Sequence, residues 1–301
     1  DGVSQGFDVY HRKSDPTYLD YMYKTESIGG GVRFGIPISE KQSINFGASA
    51  DYTKVTIDRN LGTPLQYTDF VNKFCGTDKE TCGNTSFPLT AGWVSEGRDS
   101  VINPTQGTYQ RALLEVSPWG DLRYYKLTYQ HMRYFPVTRN VALMLNGELG
   151  YAKGLGGQEM PFFKNFHAGG VGSVRGWDTG SLGPYEADPY DSNDNVRLGG
   201  TRRFVFNAEL MMPVPGFGAD KSFRFGPFFD AGQVYSDEKT QHTCPIGSQA
   251  VCGEGPIRMS VGLAATWLSP LGPLKFSVAY PLNRQKDDNI QRFQFQMGSV
   301  F

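Results

Sequence analysis

Apolar and polar residues alternate with a period of two over most of this chain. In SINFGASADY, Ile44, Phe46, Ala48, Ala50 and Tyr52 fall on one side, and Asn45, Gly47, Ser49 and Asp51 on the other. In IRMSVGLAATW, Met259, Val261, Leu263, Ala265 and Trp267 oppose Arg258, Ser260, Gly262, Ala264 and Thr266. LKFSVAYPL sets Leu274, Phe276, Val278, Tyr280 and Leu282 against Lys275, Ser277 and Ala279. Phe293, Phe295, Met297 and Phe301 repeat the pattern at the end of the sequence. Alternation held for about ten residues predicts strands with one apolar and one polar face. Strands are predicted near residues 3–13, 23–37, 41–57, 86–97, 106–117, 122–135, 139–152, 203–213, 222–235, 256–268, 273–282 and 291–301. The segment 163–171 is the weakest candidate and is assigned to a long loop, which leaves an even number, twelve.

Two packed soluble sheets would share such faces, but the strand lengths favour a membrane. Strands of about 9–11 residues match a tilted crossing of a bilayer. Tyr52, Tyr151, Trp267 and Phe301 end apolar faces, as interfacial aromatic girdles do. The connections also differ in length. PISEKQ, SPWGDL, PVTRN, PVPGFGADKS, SPLGP and PLNRQKDDN read as short turns, whereas 58–85, 152–200 and 236–256 read as long polar loops. The expected fold is all-β: a transmembrane, antiparallel, up-and-down barrel of about twelve strands, occupying residues 1–301 as one domain.

Composition narrows this further. Only 39% of residues are hydrophobic, while 14% are aromatic and 37 are glycine, unlike an ordinary soluble domain of this size. No run of about 18 apolar residues exists for a membrane helix. The first residues, DGVSQGFDVY, already read as a strand, so the expected natural N-terminus lies further upstream. A formal net charge of −1 argues against nucleic acid as a partner. Cys75 with Cys82, and Cys244 with Cys252, form two close pairs in polar stretches, and two local disulfides are expected. A zinc site would need ligand-like spacing and nearby histidine, but His11, His131, His167 and His242 are scattered. No metal or cofactor is expected, and GGVGSVRG lacks the surrounding βαβ unit of a dinucleotide loop.

The long loop 152–200 carries the densest glycine in the chain. Gly169, Gly170 and Gly172 precede Val174–Arg175–Gly176–Trp177, and Gly180 follows. That much glycine predicts a folded-back segment, and its single arginine needs an anion. In FVFNAELMMP the apolar phase leaves Glu209 inward, and in FRFGPFFDAG it leaves Asp230 inward.

VRGW after MPFFKNFHAGG, then WLSPLGPLKFSVAYPL, then FQFQMGSVF, together resemble the BamA family of outer-membrane barrels that insert other barrels. The likeness runs the length of the chain. In that family a VRGF or VRGY motif tips a loop that folds back into the lumen, and Trp177 is a mild departure. The resemblance implies that Arg175 meets Glu209, Asp230 or both inside the barrel. It implies that Phe293, Phe295, Met297 and Phe301 form a C-terminal recognition signal. It also implies that this chain starts at the fifth of sixteen strands, so that four strands and the periplasmic POTRA domains are absent from it.

The implied function is the core of the outer-membrane assembly machinery, a non-enzymatic catalyst of barrel folding and insertion. Its implied location is the bacterial outer membrane. Its implied partners are the lipid bilayer, unfolded outer-membrane clients and accessory assembly lipoproteins. The alternatives are a two-partner-secretion-type translocator and a passive porin. A barrel phospholipase would need Ser, His and Asn converging at the outer rim, and the sequence shows no such arrangement.

Overall fold

The structure, a computed structural model, describes residues 2–15, 23–59, 63–187, 195–214, 222–237, 251–252, 255–270, 272–286 and 288–298. Twelve antiparallel strands form one ladder in sequence order. We number these wall strands β1 (Ser4–Ser14), β2 (Tyr23–Ser39), β3 (Gln42–Ile57), β4 (Leu89–Glu96), β5 (Gly107–Ser117) and β6 (Tyr124–Pro136). They continue as β7 (Ala142–Gly154), β8 (Arg202–Pro213), β9 (Phe223–Tyr235), β10 (Arg258–Ser269), β11 (Gly272–Pro281) and β12 (Phe293–Met297). Among the described residues no ladder joins β1 to β12.

The period-two phase is kept around the wall. Phe7, Val9, Ile28, Phe46, Leu149, Met259, Val261, Leu263, Val278, Phe293, Phe295 and Met297 all point outward and exposed. Phe276 shares that face but is half-buried, because its ring packs 5.0 Å from that of Phe295 on the adjacent strand. Each outward residue sits opposite another across the ladder, such as Leu263 with Val278 and Phe276 with Phe295. An exposed apolar band of this kind is stable only against lipid.

Short and long connections share one end of the wall. Strand direction places the short 118–123 and 282–292 connections at the same end as the long loops. The opposite end holds 97–106, which is not a plain turn. Asp99 accepts backbone bonds from Thr105 (2.9 Å) and Gln106 (3.2 Å), so the segment folds on itself. Arg224 on β9 reaches across to donate to the carbonyl of Pro104 at 2.8 Å. Loop length alone therefore does not report the side of the membrane.

Two strand boundaries differ from expectation, and the assignment of 163–171 holds. The wall strand β4 starts at Leu89, because Ser86 belongs to a short strand, Thr81–Ser86, that pairs with the upper part of β3. Residues 162–164 form a single 3₁₀ turn, and Phe166 and Ala168 make only isolated bridges, so 163–171 is loop, as expected. The ladder of β12 begins at Phe293, later than the expected strand start at 291, because Ile290 and Gln291 pair elsewhere.

At the long-loop end, residues 58–85 hold a helix that polar composition had concealed. Helix α1 (Leu65–Cys75) buries Tyr67, Phe70 and Val71, spaced three and four apart, on one face. They pack with Tyr23, Val55, Leu122, Phe162 and Val196 into a core above the wall. Cys75 is bonded to Cys82, which ties the end of α1 to the strand Thr81–Ser86. The Cys244–Cys252 pairing lies outside the described residues. The backbone N–H of Leu65 at the other end of α1 donates to the Glu186 carboxylate at 3.0 Å and 3.1 Å. Burial, reinforced by the charge of Asp69, pushes the Glu186 carboxyl up to about 7 against the opposing bond from Leu65.

Two outcomes follow from this architecture. Leu263→Arg, on the lipid face and 62% exposed, should destabilise the barrel by about 2–4 kcal/mol. Urea unfolding in lipid vesicles measures this, and an unchanged midpoint would assign Leu263 to a wet surface. Replacing Cys75 and Cys82 together by serine should cost α1 about 2–3 kcal/mol of local stability. The wall should stay folded by its gel mobility, and limited proteolysis between Leu65 and Cys82 should accelerate. Unchanged cleavage would mean that packing alone holds α1.

Candidate functional site: the inward loop and its carboxylate cage

The loop between β7 and β8 turns into the lumen, and its tip reaches the inner face of β8–β11. Val174 and Trp177 are completely buried and Arg175 is nearly so. The turn that carries them rests on glycines with positive φ at Gly169, Gly170 and Gly176. Gly176 has φ +96°, and a Cβ there would stand 3.1 Å from that of Ala279 on β11. A side chain would strain the backbone and lift the tip from the wall at once.

The wall is shaped to receive the tip. Val174 lies against Gly232 of β9, where a Cβ would come within 2.7 Å of its methyl group. The ring of Phe228 covers Gly262 of β10 just as closely, at 2.6 Å from a hypothetical Cβ. Trp177 packs with Ala168, Val174, Leu182, Val205 and Val234, and Ile290 closes the cluster.

Arg175 meets both acids that the sequence phase had turned inward. Its Nε and Nη2 donate to Oδ2 and Oδ1 of Asp230 at 2.7 Å and 2.9 Å, a two-pronged pair. Its Nη1 donates to Oε2 of Glu209 at 2.6 Å. Its own backbone N–H adds a bond to Asp230 at 3.0 Å. The guanidinium also lies flat on Phe228, 3.5 Å from the ring centre. Asp230 is wholly buried, so its charge is tolerated only because every bond around it is made.

The cage extends along the wall. Gln130 on β6 donates to Asn146 on β7 (3.0 Å), and Asn146 to Asn207 on β8 (2.9 Å). Asn207 then donates to Asp230 (2.9 Å) and to the Ser173 carbonyl of the loop (2.6 Å). Lys275 faces the lumen from β11 and interacts electrostatically with Glu209 and Arg175. Two cations thus balance two carboxylates.

Phe228, Asn207, Asn146 and Lys275 were missed by sequence reasoning, although a signal exists. Each sits on the inward phase, and Phe228 is a large aromatic two residues before Asp230 where a lumen residue is normally polar. A second missed feature involves the connection 282–292. Trp177 and Gly176 pair backbone to backbone with Ile290 and Gln291, and Asp178 N–H donates to the Asn289 carbonyl at 3.0 Å. Gln294 of β12 adds a bond to the Trp177 carbonyl at 2.7 Å. Of the C-terminal residues, Phe293, Phe295 and Met297 face outward and Phe301 lies outside the described residues. Among the described residues no group of His, Cys, Asp and Glu is arranged to hold a metal.

Arg175→Glu should expel the tip, since it faces two carboxylates at contact distance. Losing one partner of a buried pair costs about 3–5 kcal/mol, so Trp177 should become open to oxidation or proteolysis while the wall stays folded. Adding Asp230→Arg should restore little protection. Asp230 also serves Asn207 and the loop backbone, and Glu209 would remain opposite a glutamate. Full rescue by that single exchange would reduce the cage to one simple pair.

These features can be set beside known proteins. The Omp85 superfamily domain matches residues 1–301. The outer membrane protein assembly factor BamA of Neisseria meningitidis serogroup B is 38% identical across 100% of this chain, which covers 40% of that protein. The 50 kDa subunit of the sorting assembly machinery of Saccharomyces cerevisiae is 24% identical over 69% of this chain and 42% of its own length. The crystal structure of Haemophilus ducreyi BamA lacking POTRA domains 1–3 superposes with a TM-score of 0.82 at 26% identity, covering 98% of this chain and 58% of that one. CdiB from Acinetobacter baumannii, at 12% identity and a TM-score of 0.52 over 97% of this chain and 46% of its own, shares the fold alone. This chain therefore spans less than half the length of the curated relatives named here. With its whole length matched and its inward VRGW loop seated on the wall, the chain belongs to the Omp85 superfamily.

Proposed function

We propose that this chain is the barrel of an outer-membrane protein assembly factor, which folds unfolded outer-membrane barrel proteins and inserts them into the bilayer. The observation that carries the reading is 38% identity, across the whole chain, to an assembly factor of that description. The site's geometry supports it. A passive porin keeps a water-filled channel, whereas here the inward loop and its cage occupy the inner face of β8–β11. The protein works in the bacterial outer membrane. Its partners are the lipid around the wall, unfolded barrel clients and accessory assembly lipoproteins.

No covalent step is needed. Insertion of a barrel requires that every backbone N–H and C=O find a partner as it leaves water. A strand edge supplies such partners by β-augmentation. The short ladder of β12 with β11, five residues against the ten of β10 with β11, is the weakest junction of the described wall. The protein acts as a folding catalyst and not as an enzyme in the chemical sense.

The test is reconstitution of the full-length protein into vesicles with a small urea-unfolded outer-membrane barrel protein as client. Protease-protected, heat-modifiable client should appear faster than in empty vesicles. Arg175→Glu should slow that rate while leaving its own barrel folded. A full-length protein that leaves client folding at the empty-vesicle rate, but conducts ions or exports a soluble partner, would move the reading to a translocator.

A further inference from the structure

The lumen holds a second buried arginine–carboxylate pair, remote from Arg175 in sequence and on different strands. Arg258 opens β10 and Asp288 lies in the connection between β11 and β12. Their side chains are 8% and 3% exposed. Arg258 Nε and Nη2 donate to Asp288 Oδ2 and Oδ1 at 2.8 Å and 3.0 Å, again two-pronged. Arg258 Nη1 is taken by the Pro256 carbonyl at 3.0 Å. Asp288 Oδ2 also accepts the backbone N–H of Gln285 at 2.8 Å, which ties Gln285 to Asp288. The base of the same connection is stitched to β10 by Asn283, which accepts from Met259 N–H (2.8 Å) and donates to the Ile257 carbonyl (2.6 Å).

What this pin holds is the outer end of the last strand. β10 and β11 stay paired up to Ser260 and Pro281. The β11–β12 ladder ends at Val278 and Phe293, with one further bond from Ala279 N–H to the Arg292 carbonyl at 2.8 Å. Beyond that point the chain leaves the wall. Asn289, Ile290 and Gln291 turn into the lumen and pair with Gly176–Asp178 of the inward loop. Asp288 is the residue next to this departing stretch.

We propose that Arg258 and Asp288 form a second lock, separate from the Arg175 cage, which keeps the outer end of the last strand inside the lumen and off the wall. They are positioning residues for the insertion reaction, and the inference rests on the assembly-factor reading above. Backbone groups of residues 289–291 have two available partners, the loop tip or the continuation of β11. The second would lengthen the weakest junction into a regular seam. The buried pair tips the choice toward the lumen, because Asp288 cannot move to the wall without leaving the buried Arg258 with no carboxylate. With the seam kept short, an incoming strand finds an edge that is not already fully paired.

The test uses full-length protein in vesicles with the same small urea-unfolded barrel as client. Asp288→Asn keeps the shape and removes the charge. Hydrogen exchange of the peptide spanning 288–292 should rise, and client insertion should fall by about tenfold, a typical size for coupling between sites. Heat-modifiable mobility of the variant's own barrel should not change. Exchanging the charges with Arg258→Asp and Asp288→Arg should bring back part of both exchange protection and insertion, the rest being lost with the Gln285 N–H and Pro256 carbonyl bonds, whereas a loss of general stability would bring back neither. Slow insertion with unchanged exchange overturns the proposal, and so does faster exchange with wild-type insertion. If wild-type protein inserts no client, the assembly reading itself fails. If wild type and Asp288→Asn insert equally well, only the second lock fails.

Discussion

A lipid bilayer offers no hydrogen-bond partner to a peptide group. That single constraint requires the wall strands to satisfy one another edge to edge, and it makes the outward phase of every strand apolar. It also makes the inward phase the place where polar chemistry collects. The outward Leu263, Val278 and Phe295 and the inward Asn146, Asn207 and Asp230 are two consequences of one alternation. Once the inward phase is lined with polar groups, a loop that enters the lumen must bring matching partners. Arg175 does so with its planar fork on Asp230, its remaining nitrogen on Glu209, and its face on Phe228.

The fit of that loop depends as much on missing side chains as on charged ones. Gly232 and Gly262 are flat places in the wall, filled by Val174 and Phe228. Gly176 lets the tip lie against Ala279. The charge pairing fixes direction and the packing fixes depth. Trp177 is sealed by residues of the loop, of β8 and β9, and by Ile290 from the connection to the last strand. The loop is thus in contact with both the centre of the ladder and its final member.

Much of this architecture is legible in the amino-acid sequence. Twelve strands and their faces follow from period two, because a strand buried on neither side by protein still has two different solvents. Glu209 and Asp230 are placed inward by the same argument, but their pairing with Arg175 comes from family resemblance, since nothing local links residues 34 and 55 positions away. Helix α1 is hidden when LQYTDFVNKFC is read for polarity; its apolar residues at 67, 70, 71 and 74 carry a helical spacing. The Trp177–Ile290 pairing is illegible for a physical reason. A ladder two residues long has no period, and the partner is chosen by the fold that brings them together. The same is true of Arg258 and Asp288, whose residue types are common and whose meeting depends on the fold of the connection between β11 and β12.

The two ends of the loop tip are held in different ways, and the difference has a direction. On β8 and β9 the tip is bound by a charged cage backed by a row of amides on three strands, β6, β7 and β8. On β10 and β11 Gly176 of the tip lies against Ser260, Ala279 and Pro281, short side chains that offer little contact area. The hydroxyls of Ser260 and Ser277 are buried there without a hydrogen-bond partner among the described residues. On the last strand it is bound by backbone pairing with 289–291 and by Gln294. A segment held firmly at one side and lightly in the middle can lose its far partner without losing its place. In such a layout the inward loop is the fixed member and the connection into β12 the movable one. A coupling between loop and seam then acts by deciding where that connection finds its hydrogen bonds, with the cage of Arg175 left intact.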